Sequence, residues 1–134
     1  MTGHFWNQRA RLATPVGFVS TMGLCFENAN LDFAGEYAAA ARAAGDEATA
    51  AILEEVADDE EDHVRFAWTW LGKYAGGRPP EDVWLETASF PFGPRRARGA
   101  TLDVARRRRA GLSDAMIELL EAADPTRPGG GPRT

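Results

Sequence analysis

Glu60 and His63 stand three positions apart in the run Asp58-Asp59-Glu60-Glu61-Asp62-His63-Val64, five consecutive acids followed by one of only two histidines in the chain. A carboxylate and an imidazole at this spacing share a helix face and can hold one cation between them. The same run also reads as an ordinary solvated acidic surface. Direction separates the two. At helical period one stripe of the segment carries Thr49, Ile52, Leu53, Val56, Glu60, His63, Ala67 and Trp70, apolar except for Glu60 and His63. Glu54, Glu55, Asp58, Asp59, Glu61 and Asp62 fall to the flanks or the outer side, where water satisfies them. A carboxylate set among apolar neighbours needs a partner or a metal, because burying it unpaired is costly.

Two long helices must position this pair. The first starts at Thr14, a good N-cap, with Pro15 at the first helical position, and closes at Gly45. Glycines at 17, 23 and 35 weaken it by about 1 kcal/mol each relative to alanine, which a closely approaching neighbour would explain. The second starts at once, with Asp46 as N-cap and Glu47 in the first turn, and runs to about Tyr74. So short a turn makes the two an antiparallel hairpin. The matching stripe of the first helix is Ser20, Gly23 or Leu24, Glu27, Asn30 or Leu31, Ala34 and Ala38, with Glu27 its only acid. Glu27 and the Glu60/His63 pair each lie roughly 26 Å from the turn at about 1.5 Å per residue, so three potential ligands meet at one height.

A glutamate facing Glu-x-x-His across a helix pair is half of a ferritin-like dinuclear site, whose full complement is two of each in a four-helix bundle. Carboxylate and imidazole donors suit iron or manganese. The other histidine, His4, lies in an N-terminal arm, so the chain supplies one half-set. Two copies about a two-fold axis, or a complementary helix-pair chain, would supply the rest. A hairpin of about 60 residues with one apolar face also needs a partner to bury that face.

Beyond the hairpin, "EDVWLETA" reads as a short helix, "SFPFGP" as extended, and "TLDVARRRRAGLSDAMIELLEAA" as two short helices split near Gly111. No segment alternates as a strand would. The expected fold is therefore all-α: an N-terminal arm (1–13), a ferritin-like helix hairpin (14–76), an extension of short helices (77–123) and a disordered Pro/Gly-rich tail (124–134).

Composition narrows the setting. In 134 residues there is room for one domain, and no run is long and apolar enough for a membrane span. The N-terminus lacks the apolar core of a signal peptide. Cys25, the only cysteine, reads as a small buried hydrophobe, and a chain without disulfides fits the reducing cytoplasm. The net charge of −5 is divided, with twelve acids and three bases in residues 1–62 but eight acids and twelve bases in 63–134. Arg106 to Arg109 could contact phosphates, yet Leu102, Ala105, Leu112, Met116 and Leu119 suggest amphipathic packing with the arginines outside or docked on the acidic helix. Nucleic acid is not the expected partner. The aromatic groups Phe66, Trp68, Trp70 and Tyr74, and Phe26, Phe33 and Tyr37, read as core and interface.

The stretches "LCFENANLDFAGEY", "AGDEATAAIL" and "DDEEDHVRFAWTWL", with the later "FPFGPRRARGATLDVARRRRAGLSDAMIELL", resemble the C-terminal half of the domain-of-unknown-function family numbered 455. That family is grouped with ferritin-like di-iron proteins related to rubrerythrins and tRNA hydroxylases. The resemblance implies Glu27, Glu60 and His63 as iron ligands of a dinuclear centre, or of a mixed manganese–iron pair, with no organic cofactor. It gives Asp32 a structural or outer role, and it implies a preceding helix pair that has no counterpart here. Three functions follow as expectations: an oxygen-activating oxidase or hydroxylase of a small molecule, an iron-handling ferroxidase-type subunit, and a metal-free helical module that pairs with another chain. An aromatic pocket beside the ligands would favour the first, an open acidic channel the second.

Overall fold

The computed structural model describes residues 13–88 and 92–123. It is all-helical, with no strand among the described residues. His4 and the tail from 124 onward lie outside them. The first arm of the hairpin comprises α1 (Pro15–Phe18), a π-helical stretch (Val19–Glu27) and α2 (Asn28–Ala43); the second is α3 (Glu47–Tyr74). The extension holds α4 (Pro80–Thr87), a 3-10 turn (Pro94–Ala97), α5 (Val104–Arg109) and α6 (Asp114–Ala122).

The caps fall where side-chain chemistry puts them. Thr14 Oγ1 accepts from the Gly17 amide at 3.0 Å, and Asp46 Oδ1 accepts from the Thr49 amide at 3.0 Å. Asp103 and Ser113 cap α5 and α6 in the same way. Gly45 turns the hairpin at φ +80, a left-handed conformation that other residues adopt at a cost. Of the three glycines in the first arm, Gly23 has the packing reason expected: a Cβ there would lie 2.2 Å from Ala67 Cβ, so the two arms cross at near-backbone contact. A Cβ at Gly35 would meet nothing within 4 Å.

The π-helical stretch has no sequence signature and was not expected. Widening the helix there disturbs the regular ladder, and Trp84 of α4, fully buried, donates from its indole Nε1 to Ser20 O at 3.1 Å. One large side chain thus fills the core and supplies a donor to a carbonyl of the stretch.

The extension covers one broad side of the hairpin. Its anchor is a buried ion pair. Asp32 accepts from Arg107 Nη1 at 2.7 Å and Nη2 at 2.9 Å, and from the amides of Gly99 at 2.8 Å and Asp103 at 2.7 Å. Both side chains are fully buried. Arg107 also donates to Asn28 O at 2.9 Å. The expectation that the arginines of α5 lie outside therefore fails for Arg107, because a carboxylate on α2 and three carbonyl groups make burial of its guanidinium tolerable. The docked reading holds for its neighbours: Arg106 reaches Asp58 at 2.8 Å and Glu61 at 3.3 Å, and Arg109 reaches Glu61 at 3.1 Å. Glu61, placed with the solvated acids above, is instead turned toward the extension.

A second correction concerns the stripe of α3. The residues buried in the chain are Ala50, Ala57, Val64, Ala67 and Leu71, whereas Ile52, Val56 and Trp70 are exposed. Phe66 and Tyr74 are exposed too, as are Phe26, Phe33 and Tyr37, so they are not core; Trp68 alone of its group packs against it. Counted at about 100° per residue, the exposed apolar line lies roughly a quarter turn from the buried one. Sequence showed that α3 is apolar over a wide arc. It did not show that the first arm and the extension together cover one part of that arc and leave the rest bare.

Candidate metal centre

Glu27 is the last residue of the π-helical stretch, and Glu60 and His63 lie one turn apart in the middle of α3. The hairpin brings the three together. Each offers one ligand atom, and these atoms all lie within 4.8 Å of one another. His63 Nδ1 is 2.7 Å from Glu27 Oε2 and 3.2 Å from Glu60 Oε1. Asn30, one turn beyond Glu27, donates to Glu60 Oε2 at 3.2 Å and fixes that carboxylate from the side. All three ligands expected from the sequence thus converge. Asp32 stands apart on the extension's side, as a structural residue.

The group sits at a rim. Glu60 is 13% exposed and Glu27 27%, but His63 is 54% exposed and opens onto the bare apolar side of the hairpin. Loss of solvent raises the pKa of Glu27, and the neighbouring Glu60 charge raises it further, against the pull of His63. For His63, loss of solvent acts downward, but the two carboxylates together outweigh it and hold the imidazolium above its usual range. Two carboxylates facing one imidazole carry an excess of negative charge that a cation would relieve. A proton on His63 relieves part of it.

Phe66 follows His63 by one turn, and there a groove of about 510 Å³ begins, lined by Phe18, Val19, Phe66, Trp70 and Tyr74 together with Thr14 and Pro15. Lys73 Nζ stands 4.4 Å over the Trp70 ring at its edge. The groove is aromatic rather than acidic. Asn30 and the groove are the features of the candidate site that sequence reasoning missed. Asn30 enters the sequence reading only as a position on the stripe, although an amide one turn from a candidate ligand glutamate was a usable signal.

Neither the curated proteins nor the solved structures compared with this chain give a match. The sequence does match one family model, over residues 1–118, which takes in the triad, the buried ion pair and most of the extension. The chain belongs to the family described as "Protein of unknown function (DUF455)".

Proposed function

We propose that this protein is a ferritin-like half-bundle whose Glu27, Glu60 and His63 bind a non-haem iron centre that activates dioxygen toward a small, apolar organic substrate. The observation that carries this reading is the convergence of those three side chains within 4.8 Å of one another, from two helices, beside an aromatic groove. The donor chemistry fits the metal. Two carboxylate oxygens and one imidazole nitrogen suit iron or manganese, and the combination of one glutamate with Glu-x-x-His is half of the dinuclear carboxylate set. Iron bound there supplies electrons and open coordination positions for dioxygen.

The chain's own residues do the rest. Glu27 and Glu60 offset the cation's charge, and Asn30 holds the Glu60 carboxylate in place. Phe18, Phe66, Trp70 and Tyr74 give a substrate an open apolar surface one turn from His63. A lining that is aromatic rather than acidic favours an organic substrate over a subunit that only takes up and oxidises iron.

The test is metal content. Protein reconstituted anaerobically with ferrous iron and desalted is expected to retain about one iron per chain. The double variant Glu60→Ala/His63→Ala should retain none. A wild-type chain without iron after that treatment would refute the proposal.

A further inference from the structure

Among the described residues, the side of the hairpin opposite the extension is left bare, and it is apolar at both ends. Phe18, Tyr37, Ile52, Val56, Phe66 and Trp70 on it are between 36% and 63% exposed. Isolated exposed hydrophobes need no account, but an apolar group at each end of one hairpin face does. With α3 about 42 Å long and two adjacent helices together about 20 Å wide, the face measures roughly 800 Å², which is what each partner of a stable complex commonly buries.

We infer that a second copy of this chain covers the face, about a two-fold axis perpendicular to the helices at the level of Glu27, Glu60 and His63. Each copy then brings its half-set of donors to the other's. This inference rests on the metal reading above, because a dinuclear carboxylate site needs two such half-sets. It also has an independent support in the spacing of the apolar residues.

Measured from the level of the Glu60/His63 pair, Ile52 lies about 14 Å toward the turn and Trp70 about 13 Å away from it. Val56 and Phe66 lie about 8 Å and 7 Å to either side. A perpendicular two-fold at that level sets Ile52 of one copy at the height of Trp70 in the other, and Val56 at the height of Phe66. The second copy thereby closes the open side of the aromatic groove, and a substrate there would lie between the two chains. Tyr37 and Phe18 fall on opposite sides of the level in the same way. Along α3 the large Trp70 and Phe66 at the open end meet the slimmer Ile52 and Val56 near the turn, while Phe18 meets Tyr37 ring against ring. An axis parallel to the helices would instead bring Phe18, Phe66 and Trp70 of both copies together at the open end. The polar groups of the face, Asn30, Asp59 and His63, gather near the axis, with apolar groups on both sides of them. An isologous interface has this arrangement, a patch that is its own complement.

Two glutamate substitutions test it, Ile52→Glu near the turn and Trp70→Glu near the open end. Both positions are exposed in the single chain, so neither change should disturb its helices, and far-ultraviolet circular dichroism verifies that. The wild-type protein, at micromolar concentration with ferrous iron, is expected to show twice the 14.5 kDa chain mass by light scattering or sedimentation. Each variant is expected to show the single-chain mass and to lose its iron with its partner. A single-chain wild type that still takes up iron would overturn the pairing and leave the metal reading intact, the face then serving a different partner. Variants that keep the double mass would overturn the pairing as well. The reverse outcome is also distinct. A wild type that pairs, is split by both substitutions and never binds iron upholds the second copy on this face and removes the metal.

Discussion

The buried pair of Asp32 and Arg107 yields a prediction whose size follows from its geometry. Replacing Asp32 by alanine leaves a guanidinium, wholly shielded from water, with only the carbonyls of Asn28, Ala97 and Asp103 to receive its protons. Stranding a buried charge in this way costs about 3–5 kcal/mol. The complementary change, Arg107→Met, is milder. Asp32 then keeps two of its four donors, the Gly99 and Asp103 amides, so the cost should fall to about 2–3 kcal/mol. With both changes together, no unpaired charge remains and only two amides lack acceptors, so the double variant should cost clearly less than the sum of the single ones. Urea unfolding followed by tryptophan fluorescence suits the question, since Trp84 lies in the same core. At a slope of about 2 kcal/mol per molar urea, the Asp32→Ala midpoint should drop by roughly 2 M. Limited trypsin digestion adds a local readout, because releasing the extension exposes Arg106 to Arg109 to cleavage. Two results would refute the reasoning: an Asp32→Ala midpoint within about 0.5 M of wild type, or strict additivity in the double variant.

Two further outcomes follow from packing and burial. Gly23→Ala would place a methyl 2.2 Å from Ala67 Cβ, so the arms must separate, and overpacking should cost about 1–3 kcal/mol in spite of the better helix former. Gly35→Ala meets no atom and should stabilise by about 0.5–1 kcal/mol; thermal melts of the two variants should therefore move in opposite directions. Burial pushes the Cys25 thiol up to about 12, against an opposing pull from Arg96. Native protein at pH 8 should therefore resist thiol labelling that goes to completion in urea. Because the folded thiol holds its proton more tightly than the unfolded one, its contribution is fully present below about pH 9 and lost as pH rises toward 12. Rapid labelling of folded protein at pH 8 would contradict this.

The parts of the fold and site that could be read from sequence were those set by local rules. Thr14-Pro15, Gly45 and Asp46 mark helix ends because capping is a matter of neighbouring residues, and those ends fix the turn from which Glu27, Glu60 and His63 are measured. The height of the triad followed from rise per residue alone. What escaped depended on long-range choice. The π-helical stretch is recorded in no residue pattern, and the donor Trp84 is 64 positions from the carbonyl it serves. Arg107 is one of four identical residues in a row, and nothing local separates the one that is buried from those that are not. The apolar arc of α3 was visible, yet periodicity reports which side chains avoid water and not which surface covers them. Ile52 and Val56 fall on the stripe read as facing the first arm, yet both are exposed.

That division of the hairpin into a covered side and a bare side links the ion pair to the triad. Arg107 donates to the carbonyl of Asn28, the residue directly after Glu27, and Asp32 lies one turn further along the same helix. The extension therefore grips α2 from behind at the turn that presents Glu27 to α3. Gly23 and Ala67, in near contact one turn before Glu27, set the separation of the arms at the same level. Neither device touches a ligand atom. Between them they fix the height, depth and spacing of the carboxylate that faces Glu60 and His63. A glutamate at the end of a π-helical stretch would otherwise be free to follow any change in winding, and a misplacement of about 1 Å is enough to spoil the metal site proposed above. The buried charge pair is thus best understood as part of the site's scaffold, and loss of Asp32 should loosen Glu27 in proportion to its cost in stability.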